Sequence, residues 1–200
     1  MTDRDYLRIA TEEAFAPPEL VAEWQAILNR GDAADPGFVS QVGFYMTNHS
    51  ERTRFIEERL QDVGQLRLAD MDAAGIDRQP ISLTCPGVQA FDTDRAIGIA
   101  TLASDQLAEA CRRHPERFAG LTAVAPQDPA RAAKEIDRGH TELGLHGVII
   151  NSHTRGEYLD DTTFWPIFEA AEALDTPIYL HLNTPSPQMI APLRPARQQR

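Results

Sequence analysis

Glu12 and His181 are the two residues whose type and position best suit a metal site. Each stands at or near the end of a short apolar run, Leu7 to Glu12 and Ile178 to Leu182. If these runs are strands of a parallel barrel, both side chains point into the mouth where barrel enzymes carry their chemistry. A carboxylate oxygen and an imidazole nitrogen suit Zn²⁺ or Mn²⁺. The alternative is a solvated glutamate and a hydrogen-bonded structural histidine, and two ligands alone are too few for a catalytic metal.

Five short runs rich in isoleucine, valine and leucine are typical of buried parallel strands. The runs cover Leu7 to Glu12, Ile81 to Thr84, Phe118 to Val124, Gly147 to Asn151 and Ile178 to Leu182. The gaps show helical patterns, which predict helices over Arg52 to Ala74, Thr93 to Arg113, Pro129 to about Gly144, and Thr163 to Leu174. Strands that alternate with crossover helices predict an α/β fold with a parallel sheet.

Two architectures fit this alternation, an open doubly wound sheet and a (β/α)8 barrel. No GxGxxG motif follows the first run, so the dinucleotide-binding fold lacks its fingerprint. Instead, Glu12 and Glu13 stand there, and carboxylates repel phosphate. A complete barrel takes about 250 residues. We therefore predict a partial TIM (β/α)8 barrel with about five β/α units, forming a single incomplete domain over residues 1–200.

Two segments fall outside the β/α pattern. Residues 29–50 contain Gly31, Pro36 and Gly43 and are predicted to form a lid-like loop over the strand mouths, since long loops within compact domains are often functional. Residues 192–200 are basic, contain proline and have few apolar side chains, so we predict a disordered tail. No strand can be assigned beyond the fifth.

Charge and composition restrict the partners. The chain has 30 acidic and 19 basic residues and a net charge of -11, which argues against nucleic acid and anionic membranes because both require a basic surface. No run approaches the ~20 apolar residues of a membrane span, and the polar N-terminus does not resemble a signal peptide. Cys85 and Cys111 have no CxxC spacing and are predicted to be buried thiols in a reducing compartment. These features predict a cytoplasmic protein.

Several motifs in this order resemble the amidohydrolase-related metal-dependent decarboxylases, of the 5-carboxyvanillate and γ-resorcylate decarboxylase type. The resemblance runs from about Leu7 to about Ala191. Its motifs are Ile9 to Phe15, Met71 to Asp77, Tyr158 to Asp161, Phe168 to Glu172, and Pro177 to His181. It implies a barrel of the metal-dependent hydrolase superfamily. It also implies non-oxidative decarboxylation of an ortho-hydroxy aromatic acid, a lyase reaction.

The resemblance also implies roles for individual residues. Glu12 and His181 would be ligands of a divalent metal, Mn²⁺ or Zn²⁺. Arg52, or else Arg54, would bind the substrate carboxylate, although both arginines are equally well explained as surface residues of a helix. His153, which follows the fourth strand, is a weaker candidate for a substrate contact. Intact members of the family are expected to be dimers or tetramers.

Two features set this chain apart from the family pattern. Many relatives have a histidine two residues after the first glutamate, where this chain has Ala14. The family also requires a histidine on strand six and an aspartate after strand eight, thought to be the proton donor, and neither has a counterpart in this sequence. Two alternatives therefore stay open. The chain is either a hydrolase that uses a metal-bound water, or an inactive fragment that pairs with a complementary half-barrel.

Overall fold

The structure is a computed structural model that describes residues 5–31 and 36–193. In it, the protein consists of parallel strands and the helices that connect them. One three-stranded sheet contains β1 (Glu13–Phe15), β2 (Gln79–Leu83) and β3 (Phe118–Gly120). A second contains β4 (Thr122–Ala123), β5 (Val148–Asn151) and β8 (Ile178–His181). All pairings within these two sheets are parallel. A short antiparallel hairpin, β6 (His153–Thr154) and β7 (Glu157–Tyr158), follows β5.

The two sheets join at Leu121, between β3 and β4. The Leu121 N–H donates to the Ile81 carbonyl at 2.9 Å, and the Thr122 N–H donates to the Gly147 carbonyl at 2.8 Å. The third predicted strand is therefore a single extended segment that changes partner halfway, from β2 to β5. The described strands form a continuous parallel array of five positions, which confirms the prediction of a partial barrel.

Helices connect the strands of this array and pack against it. They are α1 (Pro18–Arg30), α2 (Pro36–Thr47), α3 (Glu51–Gln61), α4 (Gln65–Ala74), α5 (Thr93–Arg113), α6 (Pro129–Thr141), α7 (Trp165–Ala173) and α8 (Pro187–Ile190). Ser50, Asp92 and Asp128 cap the N-termini of α3, α5 and α6 by accepting from the backbone N–H three residues on. No helix within residues 5–31 and 36–193 is long and apolar enough to span a membrane.

The predicted loop over residues 29–50 is wrong for most of its length, because α2 occupies Pro36–Thr47. Gly31, Pro36 and Gly43 suggest a loop, yet Phe38 and Val42 are buried in the same cluster as α1 and α5 side chains. Burial of this apolar face outweighs the low helix propensity of glycine. Whether the segment acts as a lid stays a prediction.

Two other predicted boundaries differ from the structure. The first strand was placed at Leu7 to Glu12, but β1 begins at Glu13, and Ile9 forms an isolated parallel bridge with Arg78. Ile9 is exposed, so this run does not have the buried surroundings that hold a continuous ladder. Of the predicted tail, residues 194–200 lie outside the described residues, while Leu193 ends a 3₁₀ turn.

The helix predicted over Arg52 to Ala74 is two helices, α3 and α4, separated by a break at Asp62. The Asp62 carboxylate accepts from the backbone N–H groups of Gly64 and Arg67, at 3.0 and 2.8 Å. An aspartate that offers its own acceptor to the backbone competes with the helical ladder, which explains the break.

Arg67 joins the two helices to β1. Its Nε donates to the Asp62 carbonyl at 2.8 Å, and its Nη2 donates to the carbonyls of Ala14 and Arg59, at 2.8 and 3.1 Å. The side chain is only 8% exposed, and burial lowers its pKa while the nearby Glu13 carboxylate opposes that shift. The guanidinium therefore fixes the start of α4 against the strand that follows Glu12.

Candidate metal and substrate site

Glu12 and His181 meet at the mouth of the partial barrel. His181 ends β8, Glu12 directly precedes β1, and His181 Nε2 lies 3.8 Å from Glu12 Oε1. The two residues are far apart in sequence, and the barrel curvature brings them together. The structure therefore places the two predicted metal ligands side by side.

A hydrogen bond to the backbone selects the tautomer of the His181 ring. Nδ1 lies 2.6 Å from the Leu182 carbonyl oxygen, and because a carbonyl can only accept, Nδ1 carries the hydrogen. In the neutral ring, Nε2 then presents a lone pair toward the Glu12 carboxylate. A proton on Nε2 or a cation between the two groups would make this contact attractive.

The spacing of these two atoms suits a shared metal ion. Donor atoms that each lie about 2.1 Å from one ion can be at most about 4.2 Å apart, so 3.8 Å is compatible with joint coordination. Within the described ranges, no group of three or more histidine, cysteine, aspartate or glutamate side chains forms a metal site. The pair therefore fits half of a divalent metal site, and further ligands would have to come from elsewhere.

Tyr179 is a neighbour of this pair that the sequence analysis missed. It precedes His181 by two residues on β8, so both side chains project from the same face of the strand, with ring centroids 6.2 Å apart. Burial raises the pKa of Tyr179, and the charge of Glu12 and a hydrogen bond to it add to the rise. The period of two along the strand was the signal that could have identified it.

Asn151 lies on the strand next to His181. The two residues are register partners in the parallel pairing of β5 with β8, so they project from the same face. Asn151 is buried, and its Nδ2 donates to the Pro86 carbonyl at 3.1 Å. Its Oδ1 is buried and has no hydrogen-bond partner in the described structure, which leaves an acceptor at the strand end beside His181.

His153 is held by the backbone rather than presented to a ligand. It is 2% exposed, its Nε2 lies 2.7 Å from the Thr184 carbonyl oxygen, and its Nδ1 accepts from the Gly156 N–H at 3.4 Å. Both ring nitrogens are therefore engaged in the arrangement that the structure shows. A substrate contact through His153 would require one of these hydrogen bonds to break.

Arg52 and Arg54 are both exposed on the first turns of α3, on either side of Thr53. Thr53 lines a cavity of about 240 Å³ whose wall also includes Trp24 and Tyr45. Neither arginine is among the residues that line this cavity, so the structure does not bring the predicted carboxylate-binding arginines into it, and it does not favour one over the other.

Cys85 connects this cavity to the candidate metal site. Its thiol lines the cavity and lies 3.7 Å from the carbonyl oxygen of Leu182, the residue that follows His181. The walls of this cavity are largely apolar, which suits an aromatic ring.

Two of the solved structures that this chain resembles are decarboxylases of aromatic acids. The 5-carboxyvanillate decarboxylase from Novosphingobium aromaticivorans, solved with manganese and 3-methoxy-4-hydroxy-5-nitrobenzoic acid, is 50% identical with a TM-score of 0.91, covering 96% of this chain and 55% of that one. The 2,6-dihydroxybenzoate decarboxylase from Rhizobium is 33% identical with a TM-score of 0.74, covering 91% of this chain and 51% of the other.

Curated relatives lead to the same family. The γ-resorcylate decarboxylases of Rhizobium radiobacter and Rhodococcus jostii are 36% and 37% identical over 188 residues, covering 90% and 89% of this chain. This chain spans about half the length of these relatives, 51% in both cases. The amidohydrolase family model matches residues 16–198. The resemblance inferred from the sequence motifs is confirmed, and the chain belongs to the amidohydrolase family.

Proposed function

We propose that this chain provides part of the active site of a metal-dependent decarboxylase that acts on an ortho-hydroxy aromatic carboxylic acid. The observation that carries the proposal is the Glu12–His181 pair, in which His181 Nε2 lies 3.8 Å from Glu12 Oε1 while Nδ1 contacts the Leu182 carbonyl oxygen. The likeness to decarboxylases of 5-carboxyvanillate and γ-resorcylate supports the choice of reaction and substrate class.

Glu12 and His181 would hold a divalent ion, for which Mn²⁺ is the first choice and Zn²⁺ the second. Manganese is bound in the structures of the 5-carboxyvanillate decarboxylase and of the dihydroxybenzoic acid decarboxylase from Polaromonas. Bound there, the ion would supply Lewis-acid stabilisation of negative charge on substrate oxygens. The Nδ1–H hydrogen bond of His181 orients the ring for this role.

The cavity beside the pair would hold the aromatic ring. Trp24, Tyr45 and Met46 supply apolar walls. Arg52 or Arg54, the exposed neighbours of the lining residue Thr53 in sequence, would have to turn toward the cavity to bind a carboxylate through the planar guanidinium. In the reaction, the bond between ring and carboxylate breaks, its electron pair stays with the ring carbon, that carbon takes up a proton, and CO₂ leaves. The family resemblance assigns the proton to an aspartate for which this sequence has no counterpart.

Metal binding by the chain tests the proposal before any assay of turnover. The purified chain is loaded with Mn²⁺ or Zn²⁺, desalted, and its metal content measured by elemental analysis. We expect retained metal in the wild type, and its loss in Glu12→Gln and His181→Ala. His140→Ala is the matched control, because His140 is an exposed histidine on α6. Unchanged metal content in His181→Ala would refute the site.

Turnover is tested separately by measuring CO₂ release from 5-carboxyvanillate and γ-resorcylate. Because two ligands are too few for a catalytic metal, we expect decarboxylation to require the further ligands that the resemblance implies. Release of ammonia or a new carboxylate from amide substrates, without CO₂, would favour a hydrolase instead. A homo-oligomer and a cytoplasmic location stay predictions.

A further inference from the structure

The backbone that follows β8 sets the orientation of the His181 ring. His181 Nδ1 lies 2.6 Å from the carbonyl oxygen of Leu182, the next residue, so the direction of this carbonyl decides how the ring is held. The Leu182 side chain is 80% exposed and gives the backbone no anchor through packing. The path of the chain beyond His181 therefore depends on hydrogen bonds.

The segment that follows β5 provides these hydrogen bonds. Four contacts join residues 152–158 to the backbone from His181 onward. They are the Ser152 N–H to the His181 carbonyl at 2.9 Å, the Asn183 N–H to Ser152 Oγ at 3.1 Å, His153 Nε2 to the Thr184 carbonyl oxygen at 2.7 Å, and the Ser186 N–H to the Tyr158 hydroxyl at 3.1 Å. The chain after β8 is thus held at four successive positions.

The segment that makes these contacts is itself anchored in the interior. Gln89 is buried in the loop that follows β2, and its Oε1 accepts from the Asn151 N–H at 2.8 Å. Its Nε2 donates to the His153 carbonyl at 2.8 Å and to Thr154 Oγ1 at 2.6 Å. The four contacts therefore connect the chain beyond His181 to the buried end of β5 and to the loop after β2.

Among these contacts, that of His153 comes from a buried polar ring. The side chain is 2% exposed, and its ring centroid lies 5.2 Å from that of Tyr158. Because the Thr184 carbonyl can only accept, Nε2 carries the hydrogen. A buried imidazole costs free energy unless its nitrogens form hydrogen bonds, and an apolar ring would fill the same space without that cost. The hydrogen bond to Thr184 is therefore what the imidazole adds to packing.

We propose that His153 is a positioning residue for His181. By donating to the Thr184 carbonyl, it fixes the preceding backbone and keeps the Leu182 carbonyl directed at His181 Nδ1. That carbonyl holds the hydrogen on Nδ1 and leaves His181 Nε2 free to bind a metal. The inference rests on the proposed metal site, in which His181 is a ligand.

The tautomer of the His181 ring tests this inference in the metal-free chain. Long-range ¹H–¹⁵N NMR spectra of the histidine side chains are recorded at about pH 8, above the ordinary imidazole pKa. The signals of His181 are identified by their absence in His181→Ala. We expect a ring protonated at Nδ1 alone in the wild type, and a mixture of the two neutral tautomers in His153→Phe. This variant keeps an aromatic ring beside Tyr158 but has no donor for Thr184.

A conservative variant and a matched control separate positioning from general stability. His153→Gln should restore the wild-type tautomer, because its amide can donate to the Thr184 carbonyl. Phe118→Leu is the control, since it shortens a buried side chain on β3 that belongs to a separate core cluster, and it should leave the tautomer unchanged. A His181 ring that stays protonated at Nδ1 alone in His153→Phe would overturn the inference, as would mixed tautomers in Phe118→Leu.

The affinity for Mn²⁺ provides the second readout, measured by isothermal titration calorimetry. His153→Phe should weaken Mn²⁺ binding about tenfold, and His153→Gln should recover most of the loss. Unchanged affinity in His153→Phe, beside a wild type that binds Mn²⁺, would contradict the positioning role. If the wild type binds no Mn²⁺, the proposed metal site fails, while the tautomers in the metal-free variants still decide whether His153 positions the ring.

Discussion

Replacing Arg67 by alanine removes the group that ties α3 and α4 to β1. The guanidinium donates to three backbone carbonyls, of Asp62, Ala14 and Arg59, within 2.8–3.1 Å. Truncation leaves these acceptors without a donor and opens a cavity at an 8% exposed position. A hydrogen bond to a charged group contributes about 1.5–3 kcal/mol. The three contributions do not add in full, because Glu13 beside Arg67 is 30% exposed and water that enters there can solvate some of the freed carbonyls. We therefore expect a loss of about 3–5 kcal/mol in the free energy of unfolding.

Urea denaturation of wild type, Arg67→Ala and Arg112→Ala measures this loss. Arg112 is the control because its ion pair with Glu109 is exposed, so its removal should cost less than about 1 kcal/mol. For a chain of this size, the expected loss lowers the melting temperature by about 10 °C. A difference below about 1 kcal/mol between the two variants would show that Arg67 does not hold α4 to β1.

Three further predictions concern stability and reactivity elsewhere. Burial raises the pKa of Cys111 from 9.0 to about 11, so its thiolate fraction at pH 8 is about a hundredfold smaller than that of a thiol with the ordinary pKa. Alkylation of Cys111, followed by mass spectrometry, should therefore be slow at pH 8 and accelerate toward pH 11. Gly139→Ala should destabilise by about 1–3 kcal/mol because its new methyl group would overlap Thr122, whereas Gly98→Ala, with open space around it, should stabilise α5 by up to about 1 kcal/mol in the same urea titration. Asp92→Ala should cost about 1 kcal/mol by removing the α5 cap, and Asp92→Asn should restore most of it; equal loss in both variants would contradict the capping role.

The sequence predicted strands well where apolar runs are continuous, as in the fully buried β5 and in β8. The prediction failed at α2, since Gly31, Pro36 and Gly43 are local signals, whereas the burial of Phe38 and Val42 depends on packing against other helices. It also failed at Asp62, where a side-chain oxygen competes with the helical ladder. Local patterns therefore account for the order of the elements but not for each boundary.

In the candidate site, too, some features follow from local sequence patterns and others depend on distant parts of the chain. The proximity of Glu12 and His181 follows from strand ends that share one mouth, which a β/α pattern predicts. The engagement of His153 with the Thr184 carbonyl could not be anticipated, because it depends on the path of the chain after β8. The position of Tyr179 beside His181 could have been predicted, because residues two apart on a strand project from the same face.

Because the strand changes partner at Leu121, α5 packs across the junction between the two sheets. The strand segment is the only backbone ladder that the two three-stranded sheets share in the described structure, and α5 packs on both β3 and β4. Ser104 of α5 is fully buried, its Oγ accepts from the Ala123 N–H at 3.1 Å, and it lies 3.4 Å from the Ala123 carbonyl. The long helix therefore packs against both the sheet that follows Glu12 and the sheet that ends at His181, and it links the two halves of the mouth.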